Sequence, residues 1–205
     1  MRGKRPGSTG ARSAIGQSRR SESGRPLRRD ALENRRRVLE AAARIFAVHG
    51  LDAPVEEIAH AAGVGMGTVY RRFPNKEALI EEIVSEFFES VVAAAQEAMQ
   101  AADGSGFETF VRQTVSLQAS HRGCVSRLWR TSEKEARAAE FDRLLEQLLE
   151  QAKTAGRIRT DTTPADVMMV FWAARGIIEA GEQAAAQALR RYLDIVVAGL
   201  RPEAT

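Results

Sequence analysis

Apolar residues recur every three or four positions through most of this 205-residue chain, which is the spacing of one buried face of an α-helix. No segment alternates between apolar and polar residues in the way that a half-buried strand would. Alanine, leucine, glutamate and arginine are abundant, and aromatic residues make up only 6% of the chain, a composition that favours helix. The sequence therefore predicts an all-α protein of about nine helices.

The first three predicted helices are short and occupy residues 34–48, 55–62 and 66–72. Gly50 ends the first helix, and Gly63 supplies a tight turn between the second and the third, where a side chain would obstruct. Two short helices joined by such a turn form a helix-turn-helix, whose second helix enters the major groove of DNA. The spacing predicts a DNA-binding unit in which residues 66–72 contact the operator.

The larger C-terminal part is predicted to be a helical body. Its first helix is long, because apolar residues repeat every four positions from Leu79 to Ala95. Pro74 and the capping residue Asn75 set its start, and Gly104-Ser105-Gly106 is expected to end it. The predicted helices and segments of the body are residues 76–103, 107–117, 125–129, 133–155, 164–180 and 182–200.

The last two predicted helices carry apolar faces with small residues that permit close helix approach. Such a pair either buries its apolar stripe internally or packs against the same pair of a second copy. We expect a homodimer through these two helices, arranged as a four-helix interface.

Charge is unevenly distributed along the chain. Residues 1–37 contain twelve Lys or Arg and three acidic residues, a net charge of +9, so residues 38–205 carry −6 of the total of +3. Gly, Ser, Pro and Arg dominate residues 1–26, and we expect disorder there in the absence of DNA. A basic arm of this kind either binds phosphate or acts as a solubilising tail, and the sequence leaves both interpretations open.

Compartment and membrane association follow from the absence of apolar runs and from cysteine usage. No apolar run reaches the ~18 residues of a membrane span, and the N-terminus lacks the apolar core of a secretory signal. The one cysteine, Cys124, cannot form an internal disulfide, which suits a reducing cytoplasm. We expect a cytoplasmic protein with no membrane partner. Cys124, flanked by Arg122 and Arg127, is either a redox switch or a spectator thiol.

Catalytic and metal-binding patterns are weak. His49, His60 and His121 are scattered without metal-ligand spacing. Gly63-x-Gly65-x-Gly67 has a helix before it and not the strand that a dinucleotide loop needs. Ser120-His121 and the nearby acids form no set of nucleophile, base and orienting group. We expect no catalytic residue, metal or cofactor, which makes an enzyme the weakest alternative.

One set of positions within about residues 34–80 forms a specific pattern in register. These positions are Gly50, Ile58-Ala59, Ala62-Gly63-Val64, Gly67-Thr68-Val69-Tyr70 and Phe73-Pro74-Asn75-Lys76-Glu77-Ala78-Leu79. The pattern resembles the TetR family of bacterial transcriptional repressors. The resemblance implies an all-helical homodimer, a three-helix DNA-binding unit and a body that binds a small inducer. Beyond residue 80 it concerns helical architecture more than sequence, so the ligand half follows from fold analogy.

Three positions depart from the family's usual pattern. Pro54 stands at the start of the second helix where Ser or Thr is usual, and Gly65 precedes the third helix where Ser is frequent. Both changes remove a hydroxyl that caps a helix or contacts a phosphate. Arg72 stands where His or Tyr is common and adds a positive charge, which favours phosphate binding.

Ten residues are predicted to contact DNA because of their types and positions. Glycines in the third helix let its backbone approach DNA closely, and Met and Thr beside them contact base edges or a thymine methyl. The alternative is that Met66 and Tyr70 are core residues and the arginines form a solvated face. The predicted DNA-binding residues are Arg35, Arg36, Gly65, Met66, Gly67, Thr68, Tyr70, Arg71, Arg72 and Lys76.

The basic and hydroxyl groups among them are assigned to phosphate and guanine. Tyr70 donates a hydrogen bond to phosphate, and Arg71 reaches a guanine edge or the backbone. Lys76 lies in the first turn of the fourth helix, where free backbone N–H groups and its ammonium bind one phosphate together. Arg35 and Arg36 clamp the DNA backbone from the first helix.

An inducer pocket is predicted inside the body, because aromatic and methionine residues on inward faces make an adaptable apolar cavity. Few charges fall on these faces, so the expected inducer is small and largely apolar. The alternative is that these residues are ordinary core. The predicted lining residues are Phe88, Phe110, Thr114, Leu117, Trp129, Phe141, Leu145, Met168, Met169 and Trp172.

The predictions combine into three parts: a basic arm at 1–30, a helix-turn-helix domain at 31–76, and a ligand-binding and dimerisation domain at 77–201. The expected function is a ligand-responsive transcriptional regulator, a repressor released from a palindromic operator by its inducer. The alternative is a helical small-molecule-binding or partner-binding protein that does not bind an operator. The basic surface of residues 66–76 favours the regulator.

Overall fold

The computed structural model describes residues 24–124, 127, 135–180 and 182–202. Within these ranges the chain forms eight α-helices and one 3-10 turn without any β-strand, which confirms the all-α prediction. The predicted segment at 125–129 lies outside the described residues except for residue 127, and the predicted arm is described only from residue 24. The helices are α1 (Gly24–His49), α2 (Val55–Ala62), α3 (Met66–Arg72), α4 (Lys76–Ala98), α5 (Gly106–Ser120), α6 (Glu135–Thr154), α7 (Pro164–Glu179) and α8 (Glu182–Leu200), with a 3-10 turn (Arg122–Cys124) after α5.

Helix α1 begins ten residues before the predicted start at residue 34, so residues 24–30 are helical and not part of a disordered arm. The prediction was wrong there because it relied on apolar periodicity. Residues 29–33 are all exposed, including Leu32 at 67%. These exposed residues give no apolar periodicity, and the extension contains Arg, Ala, Leu and Glu, which have high helix propensity.

The N-terminal three helices share a small core, with Phe46 of α1, Ile58 of α2, and Val69 and Phe73 from α3 and its end all buried. Gly63 ends α2 in the left-handed conformation, at φ 64°. The N–H of the next residue, Val64, donates to the Ala59 carbonyl at 3.0 Å, which closes the turn. This confirms the helix-turn-helix and its glycine turn.

Helix α4 joins the DNA-binding unit to the body. Asn75 caps it, because its side-chain oxygen accepts the Ala78 N–H at 2.8 Å, as predicted. Its apolar faces pack on α1 at one end and on α5 and α6 along its length. The helix ends at Ala98 and not at the glycines, since residues 99–104 form hydrogen-bonded turns in which Gly104 has a φ of 73°.

The 3-10 turn after α5 docks on α1. A methyl group added to Gly123 would lie 2.1 Å from the carbonyl carbon of Phe46, so the two backbones are in direct contact. Beside it, Arg122 Nε donates to the carbonyl oxygen of Ala47 at 2.9 Å. The body therefore contacts the C-terminal end of α1 through backbone and through one arginine.

Helices α7 and α8 pack on one another and on the body through α5 and α6. Thr163 and Asp166 form a capping box at the start of α7, and Pro164 occupies the first turn, as the sequence indicated. Large apolar side chains remain exposed on α7 at Met169 and Trp172. No helix in the described part of the chain is long and apolar enough to cross a membrane.

Candidate DNA-binding surface

On the exposed side of α3, two glycines leave the backbone uncovered by side chains. A methyl group added to Gly65 or Gly67 would meet no atom within 4 Å, and neither residue has a positive φ. The fold itself does not require glycine at either position. The two glycines therefore give room for close approach by something outside the protomer, as a DNA backbone or base edge requires.

Two side chains on this side of α3 are exposed and available. Tyr70 is 45% exposed, and Arg71 lies fully on the surface. Neither the Tyr70 hydroxyl nor the Arg71 guanidinium has a hydrogen-bond or ion-pair partner within the described ranges. Free donors on an exposed helix face suit contacts to phosphate or guanine.

Met66 and Thr68 are half-buried at the edge of the same surface. Met66 packs against the core, so the structure supports part of the core alternative for this residue. Thr68 keeps contact with solvent from within a groove between α1 and α3. Only the outer parts of these two side chains are free for base contacts.

Arg35 is engaged inside the protein and not free to clamp DNA. Its guanidinium forms an ion pair with Glu82, and its Nη1 donates to Glu86 Oε1 at 2.8 Å. Sequence spacing did not indicate this, because the two carboxylates lie 47 and 51 residues away on α4. The pairs tie α1 to α4, and the hydrogen bond that Arg35 donates to Glu82 raises the pKa of Arg35.

Two further arginines among the predicted DNA-binding residues, the clamp Arg36 and Arg72, also have carboxylate partners, but they remain at the surface. Arg36 pairs with Glu33 at 2.7 Å and with Glu40 at 2.9 Å, both on α1. Arg72 lies 3.6 Å from Glu82 and 5.6 Å from the centre of the Phe73 ring. Exposed pairs of this kind are weak, so a phosphate can compete for either guanidinium.

Lys76 is half-buried in the first turn of α4, and its ammonium donates to the Leu51 carbonyl oxygen at 3.0 Å. This bond fixes the ammonium beside the loop between α1 and α2. An ammonium has three donors, so two remain for a phosphate. Lys76 thus has a structural contact in addition to its predicted role, which the sequence alone did not indicate.

A groove of about 310 Å³ runs between α1 and α3. Thr68 and Arg71 line it from α3, and Asp30 and Asn34 line it from α1. Asn34 was missed as a candidate DNA contact, although its amide faces the same groove as Arg71. Its place near the start of a predicted helix gave no signal, because an amide there is equally suited to capping.

Comparisons with known proteins agree with this geometry. Residues 38–83 match the bacterial regulatory proteins of the tetR family, and residues 102–202 match the C-terminal domain of SbtR-like transcriptional regulators. The HTH-type transcriptional repressor Rv1474c of Mycobacterium tuberculosis is 30% identical over 175 residues, covering 81% of this chain and 79% of that protein. The chain belongs to the TetR family.

Solved TetR structures share the whole architecture. The TetR regulatory protein of Mycobacterium vanbaalenii superposes with a TM-score of 0.65 at 33% identity, covering 86% of this chain and all of that one. The TetR regulator SCO0520 of Streptomyces coelicolor gives a TM-score of 0.62 at 28% identity, covering 83% and 99%. This chain is a TetR-family transcriptional regulator with a repressor-type helix-turn-helix.

In the TetR body, seven of the ten predicted ligand-lining residues are buried or half-buried. Phe88, Phe110, Thr114, Phe141 and Leu145 are buried, and Leu117 and Met168 are half-buried. The Phe110 ring centre lies 6.3 Å from that of Phe141, which shows that these residues of α5 and α6 face one another. Trp129 lies outside the described residues.

Met169 and Trp172 are not inward-facing, contrary to the prediction. They are 53% and 56% exposed on α7. The apolar residues of α7 extend more than halfway around the helix, so periodicity alone did not show which of them face the core. In the protomer these two residues line no interior pocket.

Another cavity, of about 650 Å³, lies between the start of α5 and the end of α8. None of the predicted ligand residues lines it. Three arginines at its rim each have a carboxylate partner: Arg112 with Glu108 at 2.9 Å, Arg157 with Asp103 at 2.6 Å, and Arg201 with Glu108 at 3.7 Å.

The Cys124 thiol is buried at 1% exposure. Burial raises its pKa to about 12, although the charge of Arg127 acts in the opposite direction. Thiolate is the reactive form, so this cysteine is protonated and inert at neutral pH. The structure opposes the redox-switch interpretation. Within the described ranges, no group of three or more His, Cys, Asp or Glu is arranged to bind a metal ion.

Proposed function

We propose that this TetR-family regulator is a homodimeric repressor that binds a palindromic operator and leaves it when a small molecule binds in its body. The observation that carries the operator-binding part is the exposed face of α3, where Gly65 and Gly67 leave open space beside the unpartnered Arg71. At this surface the glycines have no neighbouring atoms and Arg71 has no ion-pair partner within the described part of the protomer. Such a surface suits a partner that approaches the backbone closely.

The dimer is supported by the outer faces of α7 and α8. Met169, Trp172 and Ile195 are each more than half exposed on these two helices. Large apolar side chains clustered on a protein surface mark an interaction site. A two-fold dimer through this face places two copies of α3 in successive major grooves, with half-sites roughly 34–36 Å apart.

Release by a ligand requires a path from the body to α3. Helix α4 supplies one, since it begins at Lys76, beside the α1–α2 loop, and packs along α5 and α6. The 3-10 turn on α1 supplies a second contact. A ligand that prefers a dimer with different α3 spacing shifts the population away from the DNA-bound form.

Operator selection from random double-stranded DNA, followed by mobility-shift titration, tests the function. We expect an imperfect palindrome to be selected and Arg71→Ala to weaken binding by about tenfold or more. The matched control is Arg143→Ala, which removes the same charge from an exposed position on α6. Equally weakened binding in both variants would show a nonspecific charge effect.

The same selection separates the regulator from a helical ligand-binding protein that does not bind an operator. Recovery of unrelated sequences with no palindrome would support that alternative.

Among further point variants, Lys76→Ala is a poorer first test, because it also removes the hydrogen bond to Leu51. Tyr70→Phe is cleaner, since it deletes one hydroxyl and leaves the ring.

A further inference from the structure

Two polar side chains are buried without partners on α5. Thr114 and Gln118 are both 0% exposed. The Thr114 hydroxyl and both polar atoms of the Gln118 amide lack a hydrogen-bond partner among the described residues. Buried polar groups in folded proteins are nearly always hydrogen-bonded, because leaving them unpaired costs stability. Three orphan atoms in one place therefore require an explanation.

These orphan atoms lie together on an inward face. Gln118 is one helical turn beyond Thr114, so the two side chains are neighbours on α5. Phe110, one turn earlier, has its ring 6.3 Å from Phe141 of α6 and 6.2 Å from Phe171 of α7, centre to centre. The face that carries the orphan groups is thus turned towards the interior between α5, α6 and α7.

The surroundings also limit the charge of anything bound there. The buried polar residues within the described ranges are Thr114, Gln118 and Thr162, none of them charged. An ionised ligand would be buried without a counter-ion, which is strongly unfavourable. A neutral ligand avoids this penalty. The Gln118 amide offers one acceptor and two donors, and the Thr114 hydroxyl can donate or accept.

We propose that Thr114 and Gln118 are the polar anchor of a ligand site in the interior beside α5, and that its ligand is a neutral small molecule with an adjacent hydrogen-bond acceptor and donor, as in a carboxamide or lactam. This rests on the proposed ligand-responsive function and sharpens it, because a purely apolar inducer would leave the orphan groups unpaired. A carboxamide pairs with the Gln118 amide through two reciprocal hydrogen bonds.

The location connects the site to the DNA-binding unit. Gln118 lies in the last turn of α5, and the 3-10 turn that contacts α1 begins four residues later at Arg122. His121, between them, has its ring centre 5.8 Å from that of Phe87 of α4. A molecule bound to Gln118 is therefore within four residues of two contacts. One is the contact of His121 with α4, and the other is the contact of the 3-10 turn with α1.

The test measures binding of neutral carboxamides to the full-length protein without DNA. The probes are benzamide, 2-naphthamide and indole-3-acetamide, followed by saturation-transfer NMR and thermal shift. The comparison compound is α-methylstyrene, which has the planar shape of benzamide and no hydrogen-bonding head. We expect at least one carboxamide to bind, and α-methylstyrene to bind at least about tenfold more weakly than benzamide.

Variants locate the binding. Gln118→Leu and Thr114→Val keep the side-chain volume and remove the polar groups, so each should weaken carboxamide binding by about tenfold or more. The unliganded melting temperature should stay the same or rise, because an orphan polar group is gone. The control is Gln113→Leu, the same change on the exposed side of α5, which should not alter binding.

Any of four results overturns the assignment: no carboxamide binds, α-methylstyrene binds as well as benzamide, Gln118→Leu binds like the wild type, or Gln118→Leu and Thr114→Val melt below Gln113→Leu. The first result means that the orphan groups hold water only. The last means that they are structural. Operator binding is scored separately, so intact carboxamide binding without operator binding refutes the proposed function and leaves the site standing.

Discussion

Three glycines of the helix-turn-helix are not there for the same physical reason. Gly63 has a φ of 64°, a left-handed conformation that strains any residue with a side chain, so the fold favours glycine there. Gly65 and Gly67 have neither a positive φ nor a neighbour within 4 Å. We propose that both glycines leave room for DNA, and Gly67 in particular lies inside α3, where glycine otherwise reduces helix stability.

Gly67→Ala should therefore separate stability from DNA binding. We expect the free energy of unfolding to rise by about 0.5–1 kcal/mol, since alanine favours helix, while operator affinity falls because the methyl occupies the contact surface. Denaturant unfolding and mobility shift measure the two effects.

The control for this variant is Gly63→Ala, which should lower stability because alanine is strained at positive φ. Unchanged operator affinity in Gly67→Ala would show that α3 does not approach DNA closely at this residue.

At the scale of elements, the contact between the 3-10 turn and α1 is backbone against backbone. Gly123 fits because it has no side chain, and the Arg122 hydrogen bond to Ala47 holds the turn in place. Because the two backbones are closely packed, a small displacement of the 3-10 turn should also displace α1.

Gly123→Ala should disrupt this junction. The added methyl would overlap the carbonyl carbon of Phe46 at 2.1 Å, so we expect the free energy of unfolding to fall by about 1–3 kcal/mol. Gly67→Ala, whose methyl meets nothing, is the matched control. A Gly123→Ala protein as stable as the wild type would show that the turn does not press on α1 in solution.

The capping box of α7 predicts a pH effect of definite sign. The hydrogen bond from the Thr163 side chain, and then that from its backbone N–H, lowers the pKa of Asp166 below its ordinary 3.8. A lowered native pKa contributes stability that is complete above the unfolded pKa and is lost as the pH falls through the native pKa.

Asp166→Asn should therefore melt below the wild type at pH 7, and the difference should shrink once the pH falls below 3.8 and Asp166 protonates. Melting curves of both proteins from pH 7 to pH 2 check this. A difference that stays constant over that range would exclude a role for the carboxylate charge.

At the scale of the whole molecule, the proposed dimer would cover the exposed apolar side chains of α7 and α8 with the same side chains of a second copy. If it does, Trp172→Glu should place a charge in this interface and weaken dimerisation by about 2 kcal/mol or more. Analytical ultracentrifugation measures the change, and operator affinity should fall with it. Gln147→Glu, on the exposed side of α6, is the control for added charge. A dimer that survives Trp172→Glu would place the interface elsewhere.

The basic N-terminal arm also acts, if at all, on the whole complex. Residues 1–23 contain six Lys or Arg and one Glu, a net charge of +5. Helix α1 begins at Gly24, so deleting residues 1–23 removes this charge without removing any residue of the helix. If the arm binds phosphate, operator affinity and its salt slope both fall on deletion, the slope by about 0.9 for each phosphate that the arm had neutralised. An unchanged slope would favour the solubilising tail.

Local sequence patterns were sufficient to predict helix ends and turns that depend on neighbouring residues alone. The glycine at 63, the caps at Asn75 and Thr163, and the bounds of α2 and α3 were all correct from sequence, because each depends on atoms within a few residues. The start of α1 was missed, since residues 29–33 are all exposed and show no apolar periodicity that would mark a helix.

The candidate sites show where local reasoning stops. Gln118 was overlooked as a polar position on an apolar stripe, and Met169 and Trp172 were assigned to the core because α7 is apolar on more than one side. Arg35 was assigned to DNA, although carboxylates of α4 bind it. The Arg35 error concerns partners that are distant in sequence, and the other two concern which side of a helix the neighbouring helices cover.

The all-α class, the helix-turn-helix and the residue types on α3 follow from the amino-acid sequence, because helix periodicity and turn residues are short-range properties. The packed fold was needed to show which arginines are free, which glycines the fold needs, and which polar groups are buried without partners. Those answers depend on packing between helices that are separated by tens of residues along the chain, and no local pattern encodes that packing.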